Sequence, residues 1–89
     1  MSYKVNFTDI ALKNLKKLPI KDMKLVLEKI EELAEDPLKA RNVKKLVDFS
    51  PSYRLRVGNY RILFEREDVL KVIDIIDVLI RSKAYKRRK

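Results

Sequence analysis

The 89-residue chain has no cysteine, no histidine, no tryptophan and a single glycine. Without Cys or His it cannot build the usual zinc ligand sets, a thiol nucleophile or an imidazole general base, so any chemistry runs on Lys, Arg, Tyr, carboxylates, hydroxyls or a borrowed group. The lack of cysteine also removes the disulfides on which secreted domains of this size often lean, which favours a cytoplasmic setting. No run approaches ~18 consecutive apolar residues, and residues 1–7 carry no apolar h-region. Neither a spanning helix nor a signal peptide is therefore expected, and no membrane partner.

What the chain does contain is charge: 22 Lys and Arg against 13 Asp and Glu, a formal net charge of +9. Residues 1–36 balance to zero, with seven basic and seven acidic side chains, whereas residues 37–89 hold fifteen basic and six acidic. An excess confined to one segment suggests a positive patch of the kind that meets phosphate backbones or a strongly acidic partner. A solvated lysine-rich surface is the plain alternative. The length fits one small domain, residues 1–89, whose economical core gains from a partner.

Tyr3-Lys4-Val5-Asn6-Phe7 alternates apolar and polar side chains, which predicts a half-buried strand. Thr8 offers an N-cap hydroxyl and Asp9 an acidic first turn, so a helix should follow, with Ala11, Leu15 and Leu18 on one face and Pro19 as its stop. Met23, Val26, Leu27, Ile30, Leu33 and Ala34 form a second apolar stripe that ends near Asp36-Pro37, giving an antiparallel helical pair. Residues 37–45 read as irregular, followed by Leu46-Val47-Asp48-Phe49 and a Ser50-Pro51-Ser52 turn. Tyr53-Arg54-Leu55-Arg56-Val57 and Tyr60-Arg61-Ile62-Leu63-Phe64 then read as strands joined by Gly58-Asn59, a two-residue signal compatible with a II′ turn. Residues 65–68 read as a second turn, residues 69–80 as a long Val/Ile-rich strand, and residues 81–89 as a basic tail. The fold class is thus α+β: an N-terminal strand, a helical hairpin, and a small antiparallel sheet of about three further strands.

If the hairpin closes without a bulge, Val57 faces Tyr60, Arg56 faces Arg61, Leu55 faces Ile62 and Arg54 faces Leu63. Side chains alternate faces, so Arg54, Arg56 and Arg61 share one face while Tyr53, Leu55, Val57, Tyr60, Ile62 and Phe64 share the other. Like charges directly opposite one another destabilise a sheet. Either Glu65, Asp74 and Asp77 compensate them as surface ion pairs, or an anion binds there. Arginine suits phosphate because its planar fork bonds two oxygens and stays charged. Lys45 lies close in sequence, and Arg81, Lys83, Tyr85 and Lys86 could extend the cradle from the tail. Tyr85 could instead anchor the tail by packing, and residues 86–89 could be a solvated basic end.

The run Tyr53-Arg54-Leu55-Arg56-Val57-Gly58-Asn59-Tyr60-Arg61-Ile62, with Arg81-Ser82-Lys83-Ala84-Tyr85 after the Val/Ile strand, resembles the RelE/ParE superfamily of toxins from toxin–antitoxin pairs. The resemblance covers nearly the whole chain. It implies a RelE-like fold and a toxin that enters the ribosomal A site, cleaves mRNA without a metal or other cofactor, and is neutralised by a co-produced antitoxin. It further implies catalytic roles for Arg54, Arg61, Arg81 and Tyr85, and RNA or phosphate contacts for Arg56, Lys83, Lys45 and Lys86. The expected chemistry is attack by a ribose 2′-hydroxyl on the adjacent phosphodiester, with Arg61 and Arg81 stabilising the phosphorane charge and Tyr85, or Lys83 in reserve, accepting the proton. Leu79-Ile80 departs from the Gly-His or other polar pair that many relatives carry before the last arginine.

Two other readings remain open at this stage: a ParE-like toxin that binds DNA gyrase, and a non-catalytic RNA-binding module. Each version expects a partner, and the charge points to an acidic, RelB-like antitoxin that forms a hetero-oligomer through an amphipathic helix. Leu12, Ile20 and Leu25 fall outside the main apolar stripes and are candidate seats for that helix, or else peripheral core.

Overall fold

A computed structural model describes residues 2–47 and 50–80. Strand β1 (Lys4–Phe7) leads into α1 (Asp9–Lys16) and α2 (Ile20–Glu35), followed by β2 (Val43–Lys45), β3 (Tyr53–Val57), β4 (Tyr60–Glu67) and β5 (Val72–Ile80). The strands form one five-stranded sheet in the order β1-β5-β4-β3-β2. All neighbours are antiparallel except β1 and β5, which pair in parallel from Lys4↔Val72 to Phe7↔Ile75.

Thr8 ties three elements together. Its Oγ1 accepts the Ala11 amide at 3.0 Å, which caps α1, and donates to the Ile76 carbonyl at 2.7 Å. That carbonyl is available because β5 bulges there: Leu63 pairs with Asp77 while Phe64 pairs with Ile75, which leaves Ile76 as an extra residue. The amide of Thr8 also bonds the Ile75 carbonyl at 3.0 Å, so the helix start is fixed to the strand that β1 has just joined.

The helices bury their apolar stripes against one face of the sheet. Ala11, Leu15 and Leu18 from the α1 segment and Val26, Ile30, Leu33 and Ala34 from α2 meet Leu55, Val57, Ile62, Phe64, Ile73, Ile75 and Val78 in one core. Each large apolar side chain fully buried there stabilises the fold by ~1.5–3 kcal/mol. Met23 packs against this core from its margin, whereas Leu27 is 37% exposed. Leu12, Ile20 and Leu25 are also exposed, at 37%, 67% and 40%, so they are surface rather than peripheral core.

Three expectations need correction. Four strands follow the helices rather than about three, because Val43–Lys45, in a segment predicted to be irregular, pairs with β3 from Val43↔Leu55 to Lys45↔Tyr53. Three residues are too short for a hydrophobic period to register in sequence. The second turn falls at residues 68–71 instead of 65–68, with Lys71 at φ 58°. Pairing with β5 continues through Glu65↔Asp74, Arg66↔Ile73 and Glu67↔Val72, since Glu65 and Glu67 stand on the face away from the helices and Arg66 lies over the Tyr53 ring, so their charges do not end the strand. Consequently β5 begins at Val72, and Val69 and Leu70 project from the turn at 86% and 73% exposure.

Candidate functional site

The β3–β4 hairpin has the register predicted from its two-residue loop: Val57↔Tyr60, Arg56↔Arg61, Leu55↔Ile62 and Arg54↔Leu63. Gly58 alone in the loop has positive φ, at 55°, as a II′ turn requires of its first central residue. Leu55, Val57, Ile62 and Phe64 are buried beneath the helices. Strict alternation therefore sends Arg54, Arg56 and Arg61 to the opposite face, which carries no helix among the described residues. A two-residue loop makes Val57↔Tyr60 the hydrogen-bonded pair, so Arg56↔Arg61 is a non-hydrogen-bonded pair, the kind in which side chains approach most closely.

Register also sorts the two lysines of β2. Lys44 pairs with Arg54 and shares the arginine face, whereas Lys45 pairs with Tyr53 and belongs to the helix side of the sheet. Lys44 is the side chain that sequence reasoning missed. The signal was parity, but it could be used only once the β2–β3 pairing was known.

The carboxylates expected to neutralise the arginines are occupied by uncharged donors. Glu65 Oε2 accepts the Ser52 amide at 3.0 Å, and Asp74 Oδ1 accepts Asn6 Nδ2 at 3.2 Å. Asp77 Oδ1 accepts Asn14 Nδ2 and the Val78 amide, both at 2.7 Å. The ion pairs among the described residues are Lys29–Glu32 at 3.4 Å and Arg66–Asp68 at 2.8 Å, neither of which involves Arg54 or Arg56. Arg66 lies on the helix side at 2.8 Å from Asp68, off the hydrogen-bond axis, with its guanidinium 4.7 Å from the Tyr53 ring centroid. That contact places it in the packing rather than the cradle.

Arg54 is half-buried, and its Nε is enclosed without a hydrogen-bond partner among the described residues. Such a donor costs ~1–3 kcal/mol unless a ligand satisfies it. Leu63 and Leu79 stand beside Arg54 and Arg61 in the same cross-strand rows, so the cationic face has half-buried apolar neighbours. A less polar surround strengthens attraction for an incoming anion. Leu79, one of the two residues departing from the family pattern, thus borders Arg61, while Ile80 pairs with Tyr60 on the helix side.

Tyr60 plays a structural part. Its hydroxyl donates to Asp22 Oδ2 at 2.6 Å, joining the start of β4 to the first turn of α2. That bond to a carboxylate, with partial burial and the nearby negative charge, raises its pKa above the ordinary tyrosine value. Arg81, Lys83, Tyr85 and Lys86 lie outside the described residues. Among the described residues, no cluster of His, Cys, Asp or Glu is placed to hold a metal ion, and no helix is long and apolar enough to cross a membrane.

Residues 5–85 match the family model of the ParE toxin of the type II toxin–antitoxin system parDE. No curated protein matches the chain at a significant level. Among solved structures, the chain is similar to an archaeal RelE–RelB complex from Pyrococcus horikoshii, with a TM-score of 0.79 and 29% identity over 93% of this chain and 99% of that one. The RelBE2 toxin–antitoxin complex of Mycobacterium tuberculosis gives a TM-score of 0.77 and 31% identity, over 91% of this chain and 100% of that one. The isolated RelE toxin of E. coli gives 0.74 and 26%, over 99% and 100%. The family match spans the strand, the helices and the whole arginine hairpin, and the solved relatives share the sheet that displays it. The chain therefore belongs to the ParE toxin family of type II toxin–antitoxin systems and has the RelE fold.

Proposed function

We propose that this toxin is a metal-independent endoribonuclease that cuts mRNA in the ribosomal A site. The observation that carries the reading is the sheet face, opposite the helices, on which Arg54, Arg56 and Arg61 stand together. Arg54 and Arg56 have no carboxylate in ion-pair contact among the described residues, and the enclosed Nε of Arg54 has no partner there. A surface built for stability would place Glu65, Asp74 and Asp77 among these cations. Here those carboxylates bond to amides instead.

In this mechanism Arg56 and Arg54 hold the RNA backbone and keep the field positive. The ribose 2′-hydroxyl gives its proton to Tyr85, with Lys83 as reserve acceptor, and its oxygen attacks the adjacent phosphorus. The bond from phosphorus to the 5′-oxygen breaks, leaving a 2′,3′-cyclic phosphate, and the departing oxygen takes up a proton. Arg61 and Arg81 stabilise the extra charge on the phosphorane oxygens, where preorganised donors contribute most.

The test is cleavage of a message on programmed ribosomes by the parent, Arg61→Ala, Arg81→Ala and Tyr85→Phe. Losses of 10²-fold or more are expected for each, and parental cutting by all three would reject the site. Because the matching family model is that of a ParE toxin, gyrase supercoiling is assayed in parallel. Inhibition of gyrase with intact message would favour gyrase as the target. An acidic antitoxin is the expected partner: several similar structures are RelE–RelB complexes, and this chain carries a net charge of +9. The complex is expected to be cytoplasmic.

A further inference from the structure

The outward side of α2 carries its charges in an order that the helix itself does not favour. Lys21 and Lys24 stand in its N-terminal half and Glu28, Glu31, Glu32 and Glu35 in its C-terminal half, with no basic residue in the last turn. The helix dipole favours the reverse order, and a lysine four residues before a glutamate, as Lys24 is before Glu28, is the weaker orientation of that pair. Among the described residues, Glu32 alone of this set forms an ion pair, with Lys29. Ile20, Lys24, Leu27 and Glu31 follow a 4, 3, 4 spacing, which aligns them in one stripe away from the core. All four are exposed, Ile20 at 67% and Leu27 at 37%. A shallow hollow of about 750 Å³ follows the stripe past Lys24, Leu27 and Glu31 and is lined by α2 residues alone.

We infer that this stripe is the seat of a second copy of the same chain, packed α2 against α2 in antiparallel. The stripe is self-complementary when turned end for end about a two-fold axis beside Leu27. Leu27 then meets its counterpart, Lys24 of each copy comes within one residue of Glu31 of the other, and Lys21 comes within two of Glu35. The two helix dipoles also lie head to tail. A second copy fits better than a foreign helix because one stripe already supplies both signs in the order the axis requires. The net charge of +9 does not oppose this strongly: residues 1–36 balance to zero, and the arginine faces lie across the sheet from the seam, screened over a Debye length of ~8 Å at 0.15 M. A seam of about four helical turns buries less than the ~1,200 Å² of lasting complexes, so a dissociation constant on the order of 100 µM is expected. The inference does not depend on the nuclease reading, since both arginine faces stay open.

Sedimentation equilibrium of the full chain at pH 7 and ~0.15 M salt, where the Debye length is ~8 Å, reads the association directly up to millimolar protein. Lys24→Glu places glutamate against Glu31 at both ends of the seam, and Glu31→Lys places lysine against Lys24. Each variant alone should dissociate ~10-fold or more readily than the parent, while circular dichroism shows an unchanged fold because both sites are exposed. An equimolar mixture of the two variants should associate like the parent, since each then supplies the sign the other lacks. The double variant Lys24→Glu/Glu31→Lys should also regain self-association. Because the chain has no cysteine, a single introduced thiol reports the register. Leu27→Cys should oxidise to a disulfide-linked dimer, whereas Ile10→Cys, on α1 and 58% exposed, should stay monomeric under the same conditions.

Rescue by mixing, together with cross-linking at Leu27→Cys, establishes the antiparallel seam. A mixture no more associated than either variant alone overturns the inference, as does cross-linking that is equally fast at Ile10→Cys. A parent that stays monomeric at millimolar concentration also overturns it and leaves the stripe to a different protein. None of these outcomes alters the arginine face, so the nuclease reading stands or falls by the ribosome assay.

Discussion

Replacing Arg56 by glutamine should make the protein more stable while disabling it. Arg56 faces Arg61 in a close pair and lies one same-face step from Arg54 on β3. Two unit charges ~6 Å apart in water repel by about 0.7 kcal/mol, and counting both neighbours brings the relief at low salt to ~1 kcal/mol. At 0.15 M ionic strength the Debye length of ~8 Å roughly halves this. Glutamine keeps part of the aliphatic stem, so little packing is lost. For a chain of this length ~1 kcal/mol raises Tm by about 4–8 °C, so a gain of that size is expected near 10 mM salt and about half of it at 0.15 M. Thermal unfolding by circular dichroism at the two salt concentrations measures this, alongside RNA binding, which the same change should weaken. A lower Tm, or a gain indifferent to salt, would show that the Arg56 guanidinium is compensated in the folded protein. The anion-site argument would then fail.

Thr8→Ala removes both the α1 cap and the bond to the bulge carbonyl at Ile76, and should cost about 1–2 kcal/mol in urea unfolding, whereas Thr8→Ser should recover most of it. Gly58→Ala meets no atom within 4 Å, so its expected cost of about 1–2 kcal/mol comes from the left-handed backbone alone; Gly58→Asn, measured by the same unfolding assay, should cost less. Tyr60 has a raised folded-state pKa, so the contribution of its bond to Asp22 is fully present below the ordinary tyrosine value. It is lost as pH climbs through the higher folded value. Tyr60→Phe should therefore be less stable than the parent at neutral pH and lose less on alkaline titration, as Tm measured against pH will show.

Much of the site was legible because it depends on neighbours in the chain. A two-residue turn and a period of two suffice to pair Arg56 with Arg61 and to put three arginines on one face. Thr8 as a cap and the stripes of α1 and α2 are equally local, since capping and helical periodicity act within one or two turns. What only the tertiary structure decided is long-range: β1 inserting parallel to β5 some 68 residues away, three residues of β2 completing the sheet edge, and β4 running on to Glu67. The same long-range pairing set the chemistry of the face. It chose Lys44 over Lys45, and it brought Asn6 and Asn14 to Asp74 and Asp77. Composition alone could not distinguish a salt-bridged sheet from a cationic one, because that depends on which donors reach each carboxylate first, and for Asp74 and Asp77 the side-chain donors, Asn6 and Asn14, come from the opposite end of the chain.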